Sequence, residues 1–200
     1  MLDTFFQTDV IEAGCDEAGR GCYAGPVFAA AVILPVGFSH PLLNDSKQVP
    51  EADRYELRAY IEEYALSFGV AMVDNEEIDR INILKASFRA MHLAIDQLKV
   101  RPKFLVIDGN RFTPYPTIKH QCVIKGDSKI AGIAAASILA KTYRDDYMKR
   151  LHEEYPMYDW LNNKGYGTLK HRKAIELHGL CKHHRMSFNI LPNQLELEWD

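Results

Sequence analysis

Residues 11–35 read IEAGCDEAGRGCYAGPVFAAAVILP. Val10–Cys15 and Pro26–Leu34 are apolar runs with the Val, Ile and Ala content of short strands. Between them sit Asp16, Glu17 and Arg20, interleaved with Gly19, Gly21 and Gly25. Two adjacent carboxylates at the end of an apolar strand are costly to place unless something neutralises them. Glycines beside them let the backbone turn sharply and approach a partner closely. The chemistry points to a divalent metal held by carboxylates, next to an exposed backbone loop. A polar hairpin turn is the plain alternative, and the rest of the chain decides between them.

Downstream, Pro50-Glu51 opens a helix to about Tyr64, and Leu66–Val73 alternates as a third strand. Asp74–Asp79 is polar and acidic. A helix over Asn82–Leu98 carries the apolar stripe Leu84, Phe88, Met91, Ile95 and Leu98. Phe104–Asp108 is a short buried strand ending in a carboxylate, and Gln121–Ile124 is a fifth strand. A long helix runs from Ser128 to about Glu154, opening with the small residues of 131–136 that permit close approach to a sheet. Tyr155–Thr168 is a loop containing Gly, Tyr and Asn, Leu169–Leu177 is a shorter helix stopped by His178-Gly179, and Ser187–Asp200 has no clear period. This order predicts an α/β fold with a mixed sheet. If the strands ending near Asp16 and Asp108 are parallel neighbours, their carboxylates converge.

The 200 residues suit one domain with room for a helical appendage, and 47% hydrophobic content is enough for a core. No basic, apolar leader opens the chain, and no apolar run reaches membrane-spanning length. Cys15, Cys22, Cys122 and Cys181 form no CxxC pair and read as reduced thiols of a cytoplasmic protein. Cys181 with His183 and His184 does not match a zinc-ligand spacing. The net charge of −3 does not by itself favour a polyanion, but residues 141–185 hold ten Lys/Arg against six Asp/Glu. A basic C-terminal third beside an acidic pocket suits a metal-using nucleic-acid enzyme.

Phosphodiester hydrolysis needs an activated water and stabilised charge, which two divalent ions about 4 Å apart can supply. Asp16, Glu17 and Asp108 offer oxygen ligands of the type that suits Mg²⁺ or Mn²⁺. A fourth ligand has two candidates, Asp127 and Asp145, separated by 18 residues of helix, roughly 27 Å. Both cannot join one site if that helix is continuous. Asp127 follows a strand expected beside that of Asp108, with helix capping as its alternative role. Asp145, beside Asp146, Arg144 and Lys141, reads more readily as a surface ion-pair group.

DEAGRG at 16–21, AGPV at 24–27, DSK at 45–47, IDG at 107–109, KGD at 125–127, AAASILAK at 134–141, RD at 144–145 and GYGT at 165–168 together resemble the prokaryotic ribonuclease HII family. The resemblance implies an RNase H-like fold: a mixed five-stranded sheet flanked by helices in a catalytic core over 1–155, with a C-terminal helical extension over 156–200 in the same structural unit. It implies a ribonuclease H, an endonuclease that cuts the RNA strand of RNA–DNA hybrids and cuts 5′ of single ribonucleotides in duplex DNA, leaving 3′-hydroxyl and 5′-phosphate ends. Such an enzyme removes ribonucleotides and RNA primers during DNA replication and repair. The sister ribonuclease HIII would carry an added N-terminal module, for which the opening of this chain leaves no room. A small-ester phosphatase would not need the GRG or GYGT motifs, and a non-catalytic binding module would not need four acids.

By motif, Asp16, Glu17, Asp108 and Asp127 match the family's four acids, holding two Mn²⁺ or Mg²⁺ ions. Gly19, Arg20 and Gly21 match the loop whose backbone reads 2′-hydroxyls, the group that separates RNA from DNA. Tyr166 matches the tyrosine that senses the RNA–DNA junction. Ser46, Lys47, Lys141 and Arg144, with Lys170 and Arg172, are candidates for phosphate contact. One departure stands out: proline commonly follows GRG in this family, whereas Cys22 stands here and frees a backbone donor. The tail Gln194–Trp199 resembles short peptides that dock on bacterial sliding clamps. A monomer is expected.

Overall fold

The computed structural model describes residues 2–7 and 9–190. Five strands, β1 (Glu12–Ala18), β2 (Val27–Ile33), β3 (Ser67–Val73), β4 (Phe104–Asp108) and β5 (Lys119–Val123), form one sheet in the order β3-β2-β1-β4-β5. β1 pairs antiparallel with β2, and β2 with β3. β1 pairs parallel with β4, and β4 with β5. The sheet is therefore mixed, as expected. β1 runs to Ala18, so Asp16 and Glu17 lie on its last rungs rather than beyond its end.

Both faces of the sheet are covered, which is why β2 is apolar throughout. Val27, Ala29, Ala31 and Ile33 meet α2 (Asn75–Ile81) and α3 (Ile83–Asp96), while Ala30 and Val32 meet α1 (Glu51–Tyr64) and α4 (Ala131–Glu154). The C-terminal elements α5 (Trp160–Asn163) and α6 (Leu169–His178) share a third cluster with Ala24 and with Met148 and Leu151 of α4. Among the described residues no helix is long and apolar enough to cross a membrane. The four cysteines are free thiols.

Three local readings need correction. The acidic stretch after β3, read only as polar, forms α2: Asp74 caps it by accepting from the Glu77 N–H at 2.8 Å, and Ile78 is buried. Asn82, at φ 68°, breaks the chain there and caps α3 by accepting from the Lys85 N–H. The buried face of α3 centres on Ala86, Ala90, Met91, Ala94 and Ile95, with Leu84 and Phe88 at its margin. Small residues win because the helix lies close to the sheet: a Cβ at Gly69 would sit 2.2 Å from the Ala94 carbonyl oxygen. The long helix starts at Ala131, after a 3₁₀ turn over Gly126–Ser128, and short helical turns occupy the predicted loop between it and α6.

Candidate active site

Strand alternation and the parallel β1–β4 pairing set the geometry. Ala13 and Cys15 point into the α3-side core, and Gly14 lies against α4. The rung Cys15–Ile107 is the last of the β1–β4 ladder, so Asp16 and Asp108 follow it side by side. A Cβ on Gly14 would lie 2.1 Å from the carbonyl carbon of Gly132, so α4 crosses β1 with the two backbones touching. That crossing brings the Ser137 hydroxyl of α4 beside Asp16, where it favours the charged carboxylate. The same hydroxyl is 2.8 Å from that of Ser46.

Asp16 is 4% exposed. Burial pushes its carboxyl well above the ordinary range, and the charges of Glu17 and Asp108 push it further, against the Ser137 hydroxyl and the Glu17 N–H. Glu17 is also raised, first by burial, although Arg20 beside it, at 3.1 Å, opposes the shift. Asp108 accepts from the Gly126 N–H at 2.7 Å, which ties the end of β4 to the 3₁₀ turn. That turn carries Asp127, 5% exposed and raised by burial and by the charges of Asp108 and Asp45. Asp127 does not cap α4, whose N-cap position is Ile130 with no side-chain cap. Lys47 reaches over this group, 3.6 Å from Asp127 and 3.8 Å from Asp45. Burial would lower its ammonium, but Asp45, Asp127, Asp16 and Asp108 together raise it.

The donor set is all oxygen, and burial, with neighbouring carboxylate charges, raises the pKa of three of the four acids. Both facts suit Mg²⁺ or Mn²⁺. Among the described residues, however, no three Asp, Glu, His or Cys side chains are gathered as a ligating set. Glu17 turns to Arg20, Asp108 to Gly126, and Asp127 to Lys47 and Asp45.

Asp16, Glu17 and Asp108 share one open groove with the Gly19–Gly21 loop, Lys47 and Tyr166. A protein-family model described as Ribonuclease HII matches residues 13–191. The chain belongs to the ribonuclease HII family. It is an endoribonuclease acting on RNA–DNA hybrids and on ribonucleotides embedded in DNA. The ribonuclease HII of Bacteroides thetaiotaomicron is 64% identical over 200 residues, covering all of both chains. A ribonuclease HII of Archaeoglobus fulgidus, solved in complex with PCNA, superposes with a TM-score of 0.74 at 25% identity, over 92% of this chain and 98% of that one. Bst-RNase HIII, solved with Mn²⁺, shares the fold at 20% identity, with a TM-score of 0.66 over 90% of this chain and 67% of that one.

In this ribonuclease HII the donor freed by Cys22 is used: its N–H points to the Gly19 carbonyl at 3.4 Å, closing the GRG turn. Cys22 also forms an antiparallel bridge with Tyr166. The GRG and GYG loops are joined further by the Tyr23 N–H, which donates to the Gly165 carbonyl at 2.8 Å. Tyr166 itself is 42% exposed and faces the groove.

Other expected contacts fall differently. Arg144 is 1% exposed, and its guanidinium donates to the carbonyls of Pro26, Lys164 and Ala24 at 3.0, 2.8 and 3.1 Å. It holds loops together from within instead of meeting phosphate. Asp145 is ion-paired with Lys141 at 2.6 Å, as expected, but it is buried, not on the surface. Lys141 borders the groove with its ammonium committed to Asp145. Ser46 is buried on Ser137, so Lys47 alone of that pair reaches outward. Asp45 and Ser137 were not among the expected site residues. Their only sequence signals were an acid in DSK and a hydroxyl in an Ala/Ile-rich helix.

Proposed function

We propose that this ribonuclease HII cuts on the 5′ side of a ribonucleotide, with Asp16, Glu17, Asp108 and Asp127 as its acids. The observation that supports this reading is the meeting of Asp16 and Asp108, from parallel neighbouring strands, in a groove bordered by the GRG loop and Tyr166. Asp16 and Asp108 would hold both of two Mg²⁺ or Mn²⁺ ions, with Glu17 and Asp127 holding one each. Bound there, the ions supply an activated water and neutralise charge on the phosphate.

The chain's own groups do the rest. Ser137 and the Glu17 N–H orient the Asp16 carboxylate. The Gly126 N–H orients that of Asp108. Gly19, Arg20 and Gly21 meet the ribose 2′-hydroxyl through their backbone, and Tyr166 meets the junction sugar. Water adds to phosphorus as the bond to the 3′-oxygen breaks. The 3′-oxygen takes a proton, leaving 3′-hydroxyl and 5′-phosphate ends. Lys47 sits where a phosphate oxygen can be met.

Incubation with Mg²⁺ or Mn²⁺ and a labelled DNA duplex containing one ribonucleotide tests this. A cut on its 5′ side, absent from all-DNA duplex and from Asp16→Asn, is the expected result. Cleavage only of long hybrids would overturn the role given to Tyr166. A clamp contact through Gln194–Trp199 is a further part of the proposal, on a segment outside the described residues. The PCNA complex of the Archaeoglobus relative supports it by analogy. Equal recovery on a clamp with and without residues 193–200 would dismiss it.

A further inference from the structure

Arg185 is fully buried, and among the described residues no carboxylate lies within ion-pair distance of it. A buried guanidinium without a counter-ion is expensive unless its donors are satisfied. Here they are satisfied by backbone carbonyls: Gly19 at 2.7 Å, Arg20 at 2.8 Å and Gly25 at 3.0 Å. The segment bearing Arg185 is itself stitched to the loop, its N–H donating to the Tyr23 carbonyl and the His183 carbonyl accepting from the Gly25 N–H. On the other side, Arg144 fills the space under Gly19, where a Cβ would fall 2.0 Å from its Nε.

The direction of two peptide planes follows. Among the described residues no peptide is cis, and in a trans peptide the C=O and N–H point opposite ways. The Gly19 carbonyl shares its plane with the Arg20 N–H, and the Arg20 carbonyl with the Gly21 N–H. With both carbonyls drawn inward onto one planar guanidinium, both N–H groups turn outward, and the loop borders the groove. Neither N–H has a hydrogen-bond acceptor among the described residues.

We propose that Arg185 is a positioning residue for ribonucleotide recognition: its fork sets the two peptide planes so that the Arg20 and Gly21 N–H groups are presented together to the substrate. This rests on the reading that the GRG loop meets the ribose. Lysine cannot replace it, because one ammonium has no rigid fork to hold two adjacent carbonyls.

Two measurements on the full chain test the proposal and separate it from the loop reading. The first is binding of a duplex with one ribonucleotide and of the same all-DNA duplex, by wild type and Arg185→Lys, in Ca²⁺ and with melting temperature recorded. Arg185→Lys is expected to lose tenfold or more of the preference for the ribonucleotide while all-DNA affinity stays within twofold. A folded variant with the wild-type preference overturns the proposal. The second is amide exchange in wild type, which needs no variant to fold. The Arg20 and Gly21 amides are expected to exchange freely in the unbound protein and to be protected by the ribonucleotide duplex only. Protection of both in the unbound protein overturns the outward geometry and the proposal with it. Free exchange that the ribonucleotide duplex leaves unchanged overturns the loop reading, and the role of Arg185 in recognition falls with it.

Discussion

Gly14 on β1 and Gly132 on α4 bring two backbones into contact, but unequally: a Cβ at Gly14 would meet the Gly132 carbonyl carbon at 2.1 Å, whereas one at Gly132 would meet Gly14 atoms at 3.4 and 3.5 Å. The first distance is impossible without moving α4, and the second is a tight but ordinary contact. Gly14→Ala is expected to cost about 3 kcal/mol or more, and Gly132→Ala under about 1 kcal/mol. Urea unfolding of both variants checks this, and equal losses would contradict it. Because the same crossing carries Ser137 to Asp16, folded Gly14→Ala protein should also lose activity.

Asp16 is held at a cost to the fold. Burial and the neighbouring carboxylates raise its pKa, so its charged form is disfavoured in the native state. Asp16→Asn keeps the shape and removes that charge. Cleavage should fall at least about a hundredfold, while stability at pH 7.5 rises by about 1 kcal/mol. A cleavage assay paired with a thermal melt reads both, and near-normal cleavage at saturating metal would remove Asp16 from the chemistry.

The same crowding predicts a metal-dependent melt. Ions that bind the native acids and not the unfolded chain stabilise by mass action, by about 2.7 kcal/mol at one hundred times the dissociation constant. Mn²⁺ should raise the melting temperature of wild type, EDTA should abolish both the rise and cleavage, and Asp108→Asn should blunt it. An identical rise in Asp108→Asn would place the ions elsewhere.

His184 predicts acid sensitivity in the C-terminal part of the fold. It is fully buried, with its pKa pushed down to about 4 by burial and then by His171, whose ring nitrogen lies 3.2 Å away. The native state binds this proton less well than the unfolded chain. The stability linked to His184 is therefore complete above pH about 6.5 and is lost as pH falls toward 4, by roughly 3 kcal/mol in all. Unfolding free energies of wild type and His184→Gln between pH 7.5 and 4.5 should converge as pH falls. Parallel curves would show that the imidazole does not titrate in this window.

Tyr166 is tied to the loop at Cys22 yet half-open to the groove. Tyr166→Phe removes one hydroxyl and leaves the ring. The expected result is about a tenfold loss on single-ribonucleotide duplexes, with long hybrids cut within about twofold of wild type. Equal loss on both substrates would make the hydroxyl a general contact and not a junction sensor.

The fold class was legible in the sequence because it is written in short range. Apolar runs ending in acids, glycines around Arg20, and helix periods following strands gave the α/β class, the mixed sheet and the convergence of Asp16 with Asp108. Asp74 and Glu77, three residues apart, marked the α2 cap, but the acidity of the stretch masked a helix anchored by one buried residue pair, Asn75 and Ile78. What the tertiary structure alone decided was direction. Arg144 and Lys141 share one helix and one charge, yet one turns inward to three carbonyls and the other borders the groove. Ser46 and Lys47 are adjacent, yet one is buried on Ser137 and the other reaches the acids. A long polar side chain goes where its donors can be satisfied. For Arg185, and for two of the three carbonyls that Arg144 meets, those acceptors lie more than a hundred residues away in sequence, which no local pattern records.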